Sequence, residues 1–492
     1  MEKLEVRKIN DVHMRITCDG GARQELADYF TFYVPGYKFM PAFRNKMWDG
    51  KIRLFDLRTH NLYVGLYPHL VRFAEERGYT IEGDNLSKLE EISQHDVKEF
   101  CERELDLPFP PYEYQLRACT IGLQNKRRLL LSPTGSGKSL IIYILTRYYL
   151  SLKRKRVLVV VPTTSLVEQM SSDFETYGQN DGAFSEKWIH KIYSGKEKDP
   201  ISPIVITTWQ SIYKMPKSWF DQFGMVIGDE AHTFQAKSLS SIMEKLTDCE
   251  YRFGTTGTLD GTLTHRLVLE GLFSTVYQVT TTKELMDDDK LAQLNIKALV
   301  LKYSDDECKL NKDKTYQEEI DFIVSHGKRN SFIKNLALDC KGNTLVLFNL
   351  VEKHGKPLFK LIRDNAAEGR KVFFVSGATD VADREAIRGI VEKEKNAIIV
   401  ASLGTFSTGI NIKNLHNIIF ASPSKSQIKV LQSIGRGLRK ADDGSDCNLF
   451  DICDDLHWKT KKNYTLVHAG IRIQLYTKEK FKYTIHEVQI TK

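Results

Sequence analysis

No apolar run in these 492 residues approaches the roughly 20 residues a helix needs to cross a bilayer. That excludes a helical membrane protein. The opening stretch Met1-Glu2-Lys3-Leu4-Glu5-Val6-Arg7-Lys8 alternates charge with apolar residues and has no signal-peptide core. Cysteine is sparse and scattered: eight residues, none in a Cys-x-x-Cys pair, which argues against both a zinc site and a disulfide framework. Cys447 and Cys453 lie nearest each other and read as core thiols. A reduced, cytoplasmic setting is expected. No nuclease or polymerase constellation stands out, and no sequence-specific base reader is evident.

Apolar residues are plentiful at 41%, and with 27% charged residues the chain can build two to four well-packed domains. Net charge is +8, a modest excess that permits a polyanionic partner. It is uneven. From Leu456 onward eight Lys and Arg stand against two Glu. Such a segment is either a solvated basic tail or a set of phosphate contacts.

The clearest signal is Ser132-Pro133-Thr134-Gly135-Ser136-Gly137-Lys138-Ser139. An apolar strand, Leu129 to Leu131, precedes it, and a helix beginning Leu140-Ile141-Ile142 follows. Strand, glycine turn, Gly-Lys-Ser and helix make a phosphate-binding loop. Thr134, Gly135, Ser136 and Gly137 would wrap an anion at the helix N-terminus, with both glycines letting main-chain N–H groups converge. Lys138 would reach the β- and γ-phosphates of ATP, and the Ser139 hydroxyl would take a place on Mg²⁺. Ser132 departs from the general pattern, which has glycine there.

In chain order, residues 1 to about 100 read as a small α/β region, with strands at Met14–Cys18 and Lys51–Phe55 and a helix from Gln24 to Phe32. Between Phe32 and Arg53, aromatic residues alternate with Lys38, Arg44, Lys46, Lys51 and Arg53, and Trp48 sits among them. These residues suit either a small aromatic core with solvated charges or a surface that stacks bases and touches phosphates. A charged helix near Leu89 to Leu105 leads into Leu107-Pro108-Phe109-Pro110-Pro111, a linker. Gln115 follows, placed to read an adenine edge. Strands then alternate with helices up to about Tyr277, and a second run of the same kind begins near Lys297. Both runs predict parallel sheets covered on two faces. The second run has no phosphate loop.

Asp229-Glu230-Ala231-His232 closes a buried strand 91 residues beyond Lys138. A carboxylate at that edge is where Mg²⁺ is held, so Asp229 is the metal residue and Glu230 the base toward the attacking water. His232 would link the triphosphate to the rest of the motor. In the second run, Gln432-Ser433-Ile434-Gly435-Arg436-Gly437-Leu438-Arg439 sets two arginines three apart on one helical face. Arg436 and Arg439 suit arginine fingers.

Together these motifs resemble the superfamily-two helicases, and most closely the phage UvsW-type branched-DNA helicases, to which Phe43-Arg44-Asn45-Lys46-Met47-Trp48-Asp49-Gly50-Lys51-Ile52-Arg53-Leu54 is also similar. The resemblance implies an α/β fold of two tandem RecA-like parallel-sheet domains behind a small α/β N-terminal domain. The expected limits are 1–100, 101–284 and 285–492. It also places motif Ia at Pro162 and Thr163, motif Ib at Thr208 to Ser211 with Gln210, motif III at Thr256-Gly257-Thr258 and motif IV at Phe348-Asn349. Motif V runs from Ser402 through Thr405 to Gly409 and Asn411. In such a family, ATP and Mg²⁺ would sit between the two layers. The partners would be branched, duplex and single-stranded DNA and RNA–DNA hybrids, with no membrane, worked 3′ to 5′ by a monomer in the host cytoplasm. A duplex translocase that separates no strands, and an RNA helicase, share the same motif content.

Overall fold

The computed structural model describes residues 3–152, 155–182, 184–259, 262–405, 414–422, 426, 430, 434–435 and 446–490. They form two compact units: 1–132 with 137–280, and 281–492 with the loop tip 133–136.

The first unit opens with a four-stranded sheet in the order Asn61–Tyr63, His13–Thr17, Lys3–Lys8, Thr80–Gly83. Alternation sets its faces: Leu4 and Val6 point inward while Lys3, Glu5 and Arg7 stay in water. Helices Gly20–Tyr29 and Tyr67–Arg77 cover the buried face with Leu26, Leu70 and Phe73. Asp19 caps the first helix through the N–H groups of Gly21 and Ala22. The expected helix from Gln24 to Phe32 therefore starts earlier and ends sooner.

The rest of this unit is a seven-stranded, all-parallel sheet. Its order is Val276–Gln278, Arg127–Leu131, Tyr251–Thr256, Phe223–Asp229, Arg156–Val161, Ile204–Thr208, Ile189–Ile192. The strand Arg156–Val161 shows why its sequence is almost continuously apolar. Val157, Val159 and Val161 feed one hydrophobic core, and Leu158 and Val160 feed another on the opposite face.

The second unit holds another all-parallel sheet of seven strands. The order is Val372–Val375, Ile398–Ser402, Thr344–Phe348, Asn417–Phe420, Cys447–Asp455, Leu294–Lys302, Lys482–Gln489. The fold is thus the expected pair of RecA-like sheets behind a small α/β region. One strand carries acidic residues into the interior. Cys447–Asp455 contains buried Asp451, Asp454 and Asp455, each held by a partner far away in sequence. Arg472 and Tyr476 bind Asp451, Arg329 and Tyr303 bind Asp454, and Lys302 binds Asp455. The basic C-terminal segment is also ordered: helix Tyr464–Lys478 and then Lys482–Gln489, which runs parallel beside Leu294–Lys302.

Arg329 and Asp454 are both fully buried, and the guanidinium grips the carboxylate through Nε at 2.6 Å and Nη2 at 3.0 Å. Removing one partner strands the other charge without solvent. Arg329→Ala should therefore cost about 3–5 kcal/mol of folding free energy, read by denaturant unfolding of the purified protein.

Candidate functional site

The strand Arg127–Leu131 leads into the phosphate loop, and helix Lys138–Ser151 leaves it. Ser132 is buried, keeps a backbone conformation open to any residue, and donates its N–H to the Thr256 carbonyl at 2.8 Å. Its replacement of glycine therefore asks nothing unusual of the backbone. Thr134, Gly135 and Ser136 form the tip, which Ser136 Oγ closes by donating to the Pro133 carbonyl at 2.6 Å. Gly135 and Gly137 hold φ of +85° and +76°, a region side chains rarely enter. Gly137 is constrained twice, since a Cβ there would lie 2.3 Å from Gln115 Nε2. Gln115 itself is buried beneath the loop, and its Oε1 accepts the Tyr112 N–H at 2.8 Å.

Lys138 opens the helix and its Nζ donates to the Ser132 carbonyl at 3.3 Å. The Ser139 hydroxyl lies 2.8 Å from the Tyr177 hydroxyl. No sequence motif marks Tyr177; only the folding of helix Thr164–Tyr177 brings it there.

Asp229 ends the strand Phe223–Asp229 and is almost fully buried. Burial and then the neighbouring Glu230 carboxylate push its carboxyl above the ordinary range, against the pull of Lys138 and the Thr255 hydroxyl. The Thr255 hydroxyl donates to Asp229 Oδ1 at 2.8 Å. Glu230 is left-handed, φ +51°, a strained conformation for a side-chain-bearing residue. His232 joins both neighbours: Nδ1 is 3.0 Å from Thr256 Oγ1 and 3.3 Å from Glu230 Oε2. Thr256 Oγ1 in turn donates to the Thr258 carbonyl at 3.0 Å. The residues at motifs II and III are thereby in direct contact. The donor set around Asp229 and Ser139 is hard oxygen, and the carboxylate pair is crowded and poorly hydrated, which fits Mg²⁺.

The motif residues read as nucleic-acid contacts lie mostly at strand ends. Pro162 follows Arg156–Val161, and the Thr163 hydroxyl caps the next helix at the Leu166 N–H. Thr208 is buried with its hydroxyl 2.9 Å from Ser211 Oγ, while Gln210 is exposed. In the second unit, Ser402 and Thr405 are buried and share a 2.6 Å contact between hydroxyls. Gly409, Arg436 and Arg439, expected at the nucleotide, lie outside the described residues.

The aromatic and basic stretch of the N-terminal region forms its own two-stranded excursion, Thr31–Tyr33 against Lys51–Arg53. Tyr33 stacks on Tyr37 at 4.8 Å, and Tyr37 meets Phe43 edge-on at 4.7 Å. None of the three belongs to the main core, and Tyr33, Phe39 and Met47 are 54%, 77% and 75% exposed. Between the two readings of these residues, the main core is filled by others. Lys46 is exposed, Lys51 lies over the Tyr33 ring, Trp48 Nε1 donates to the Lys51 carbonyl, and Arg53 pairs with Asp49.

A protein of Enterobacteria phage T4, "ATP-dependent DNA helicase uvsW", is 40% identical over 501 aligned residues, covering 97% of this chain and 98% of that one. The chain belongs to the UvsW helicase family. The family description "DNA helicase UvsW, N-terminal" matches residues 4–84. "Type III restriction enzyme, res subunit" matches 108–261, and "Helicase conserved C-terminal domain" matches 327–441. The crystal structure of T4 UvsW superposes with a TM-score of 0.52 at 37% identity, covering 99% of this chain and all of that one. A protein of Sulfurisphaera tokodaii named "DNA 3'-5' translocase XPB2" is 24% identical over 403 residues, 70% of this chain and 85% of its own.

The buried carboxylate pair makes a prediction for this UvsW-family site. A carboxyl whose pKa is raised on folding opposes folding once it ionises, so its removal helps most above the folded pKa, and the gain fades as pH falls from there to the lower pKa of the unfolded chain. Asp229→Asn should raise the melting temperature of the ligand-free protein at pH 7. The gain should shrink as pH falls through the range where Asp229 takes up its proton, read by melting scans from pH 7 to pH 4.

Proposed function

We propose that this chain is an ATP-dependent DNA helicase acting 3′ to 5′ on branched DNA, moving junctions, regressing forks and opening RNA–DNA hybrids. The observation that carries the reading is that the likeness to a phage DNA helicase over 97% of the chain coincides with a glycine loop before Lys138 and Ser139 and an acidic strand end at Asp229 and Glu230. The proposed working limits are an N-terminal recognition domain at 1–100, an ATP-binding domain at 101–284 and a second RecA-like domain at 285–492.

Lys138 and the loop N–H groups neutralise the phosphates, with Thr134, Gly135, Ser136 and Gly137 shaping the cradle. Gln115 supports that cradle from beneath and stands near enough to sense a base. Ser139 and Asp229 hold Mg²⁺, which supplies charge neutralisation at the β- and γ-phosphates. Glu230 orients the attacking water and accepts its proton. Arg436 and Arg439, with Gly409, complete the charge around the γ-phosphate. His232 passes the state of that water to Thr256. Backbone contacts to the tracked strand come from Pro162, Thr163, Thr208, Gln210, Ser402 and Thr405, groups that read phosphates rather than sequence. Lys46, Trp48, Lys51 and Arg53 meet DNA at the branch, where an exposed aromatic stack beside cations suits unpaired bases. The chain works as a cytoplasmic monomer.

A duplex translocase is the second reading, favoured by the relative of that name. A labelled four-way junction, an R-loop and a partial duplex separate the two. The helicase processes junction and R-loop with ATP, whereas the translocase hydrolyses ATP and releases no strand. Glu230→Gln should lower turnover by about 10²- to 10⁴-fold. Lys138→Ala should abolish hydrolysis and leave DNA binding largely intact; ATP turnover at the wild-type rate in that variant would refute the site assignment.

A further inference from the structure

The N-terminal region and the ATP-binding sheet share one helix. In Leu263–Phe273, Leu267 packs into the N-terminal core, while Leu269, Leu272 and Phe273 pack into the core beneath the parallel sheet. The approach between the two parts is at backbone distance. Gly65, in the turn Val64–Leu66, has no room for a side chain, because a Cβ would lie 2.2 Å from the Glu270 carbonyl oxygen and 2.5 Å from that of Gly271. Beside it the fully buried Glu270 carboxylate meets His69 Nε2 at 2.6 Å, and also accepts from Arg266 Nε at 2.9 Å and the Val276 N–H at 3.2 Å.

A second line of contacts runs alongside. Tyr63 donates its hydroxyl to Glu244 at 2.6 Å, and the Asp11 N–H donates to the Thr247 carbonyl at 3.0 Å. Arg252, buried in Tyr251–Thr256, fastens both supporting segments by donating to the carbonyls of Met243, Leu246 and Leu272. The same strand ends at Thr256, the residue His232 touches, and the shared helix begins just beyond Thr258. Close-packed contacts of this kind move as one body rather than bend.

We propose that helix Leu263–Phe273 is a rigid coupling element that makes the N-terminal region a fixed arm of the ATP-binding half, so that movement at Thr256 reaches the arm through Leu267, Gly65 and His69. The inference rests on the helicase reading above and adds how the branch-contacting region is driven. His69 is a positioning residue: it holds the arm and touches neither nucleotide nor DNA.

Two experiments on the full chain test it. Cysteines at Asp11 and Thr247, whose backbones are joined by the 3.0 Å hydrogen bond, should cross-link on oxidation in the ligand-free protein. The oxidised protein should process a labelled four-way junction at the rate of the reduced one, because the arm works docked. A pair that stays reduced, or a cross-link that stops junction processing until reductant is added, overturns the proposal. His69→Ala should leave ATP turnover stimulated by single-stranded DNA unchanged, while junctions processed per ATP fall roughly 2- to 30-fold. His69→Gln, which keeps a donor for Glu270, should restore most of the loss. Unchanged junction yield per ATP in His69→Ala overturns the coupling role. Wild-type protein that hydrolyses ATP but processes no junction would instead refute the helicase reading, before either variant is compared.

Discussion

A buried carboxylate with a second, half-buried one beside it, at the end of a strand that is otherwise wholly apolar, sets the terms for the rest of the first unit. Asp229 and Glu230 are tolerable there because Thr255, Lys138 and His232 stand around them. Their placement in turn requires a parallel sheet, since only there do successive strands bring their carboxyl ends to one edge with helices covering both faces. The phosphate loop leaves the same edge from Arg127–Leu131, and the Ser132 N–H is tied to the adjacent strand at Thr256. Phosphate loop, acidic pair and Thr256 are thus carried on three neighbouring strands, and geometry among them follows from strand register.

The second unit meets the burial of charge differently. Its acidic strand Cys447–Asp455 has each of three buried aspartates matched by a dedicated donor. Such pairs fix which strand lies where more than they add stability.

Much of this was legible in the amino-acid order. The glycine turn before Lys138, the apolar runs of Arg156–Val161 and Thr344–Phe348, and the acidic end of Phe223–Asp229 each follow from local pattern, because what makes them strands or loops lies within a few residues. What was not legible depends on distant partners. In Cys447–Asp455 the aspartates interrupt the apolar residues, and their burial makes sense only once Arg329 and Arg472 are brought to them. Lys482–Gln489 is a lone edge, too exposed to show an apolar period. Tyr177 reaches Ser139 only because a helix of ordinary sequence ends at that spot. Gln115 is recognisable as a candidate base reader, yet its burial against Gly137 is a matter of packing that spacing does not encode.

The strand order of the second sheet also governs when it can exist. Leu294–Lys302 is flanked on its two sides by Cys447–Asp455 and Lys482–Gln489. Its Lys302 waits for Asp455, 153 residues later. At ordinary rates of translation that is a delay of roughly 8–30 s, during which a strand of alternating apolar residues stands without neighbours on the growing chain. The first unit has a comparable wait, because Arg127–Leu131 pairs only with Tyr251–Thr256 and Val276–Gln278, both made much later in the chain. Nascent protein would therefore pass through two intervals of exposure to aggregation and to chaperones, one while each sheet waits for its later strands.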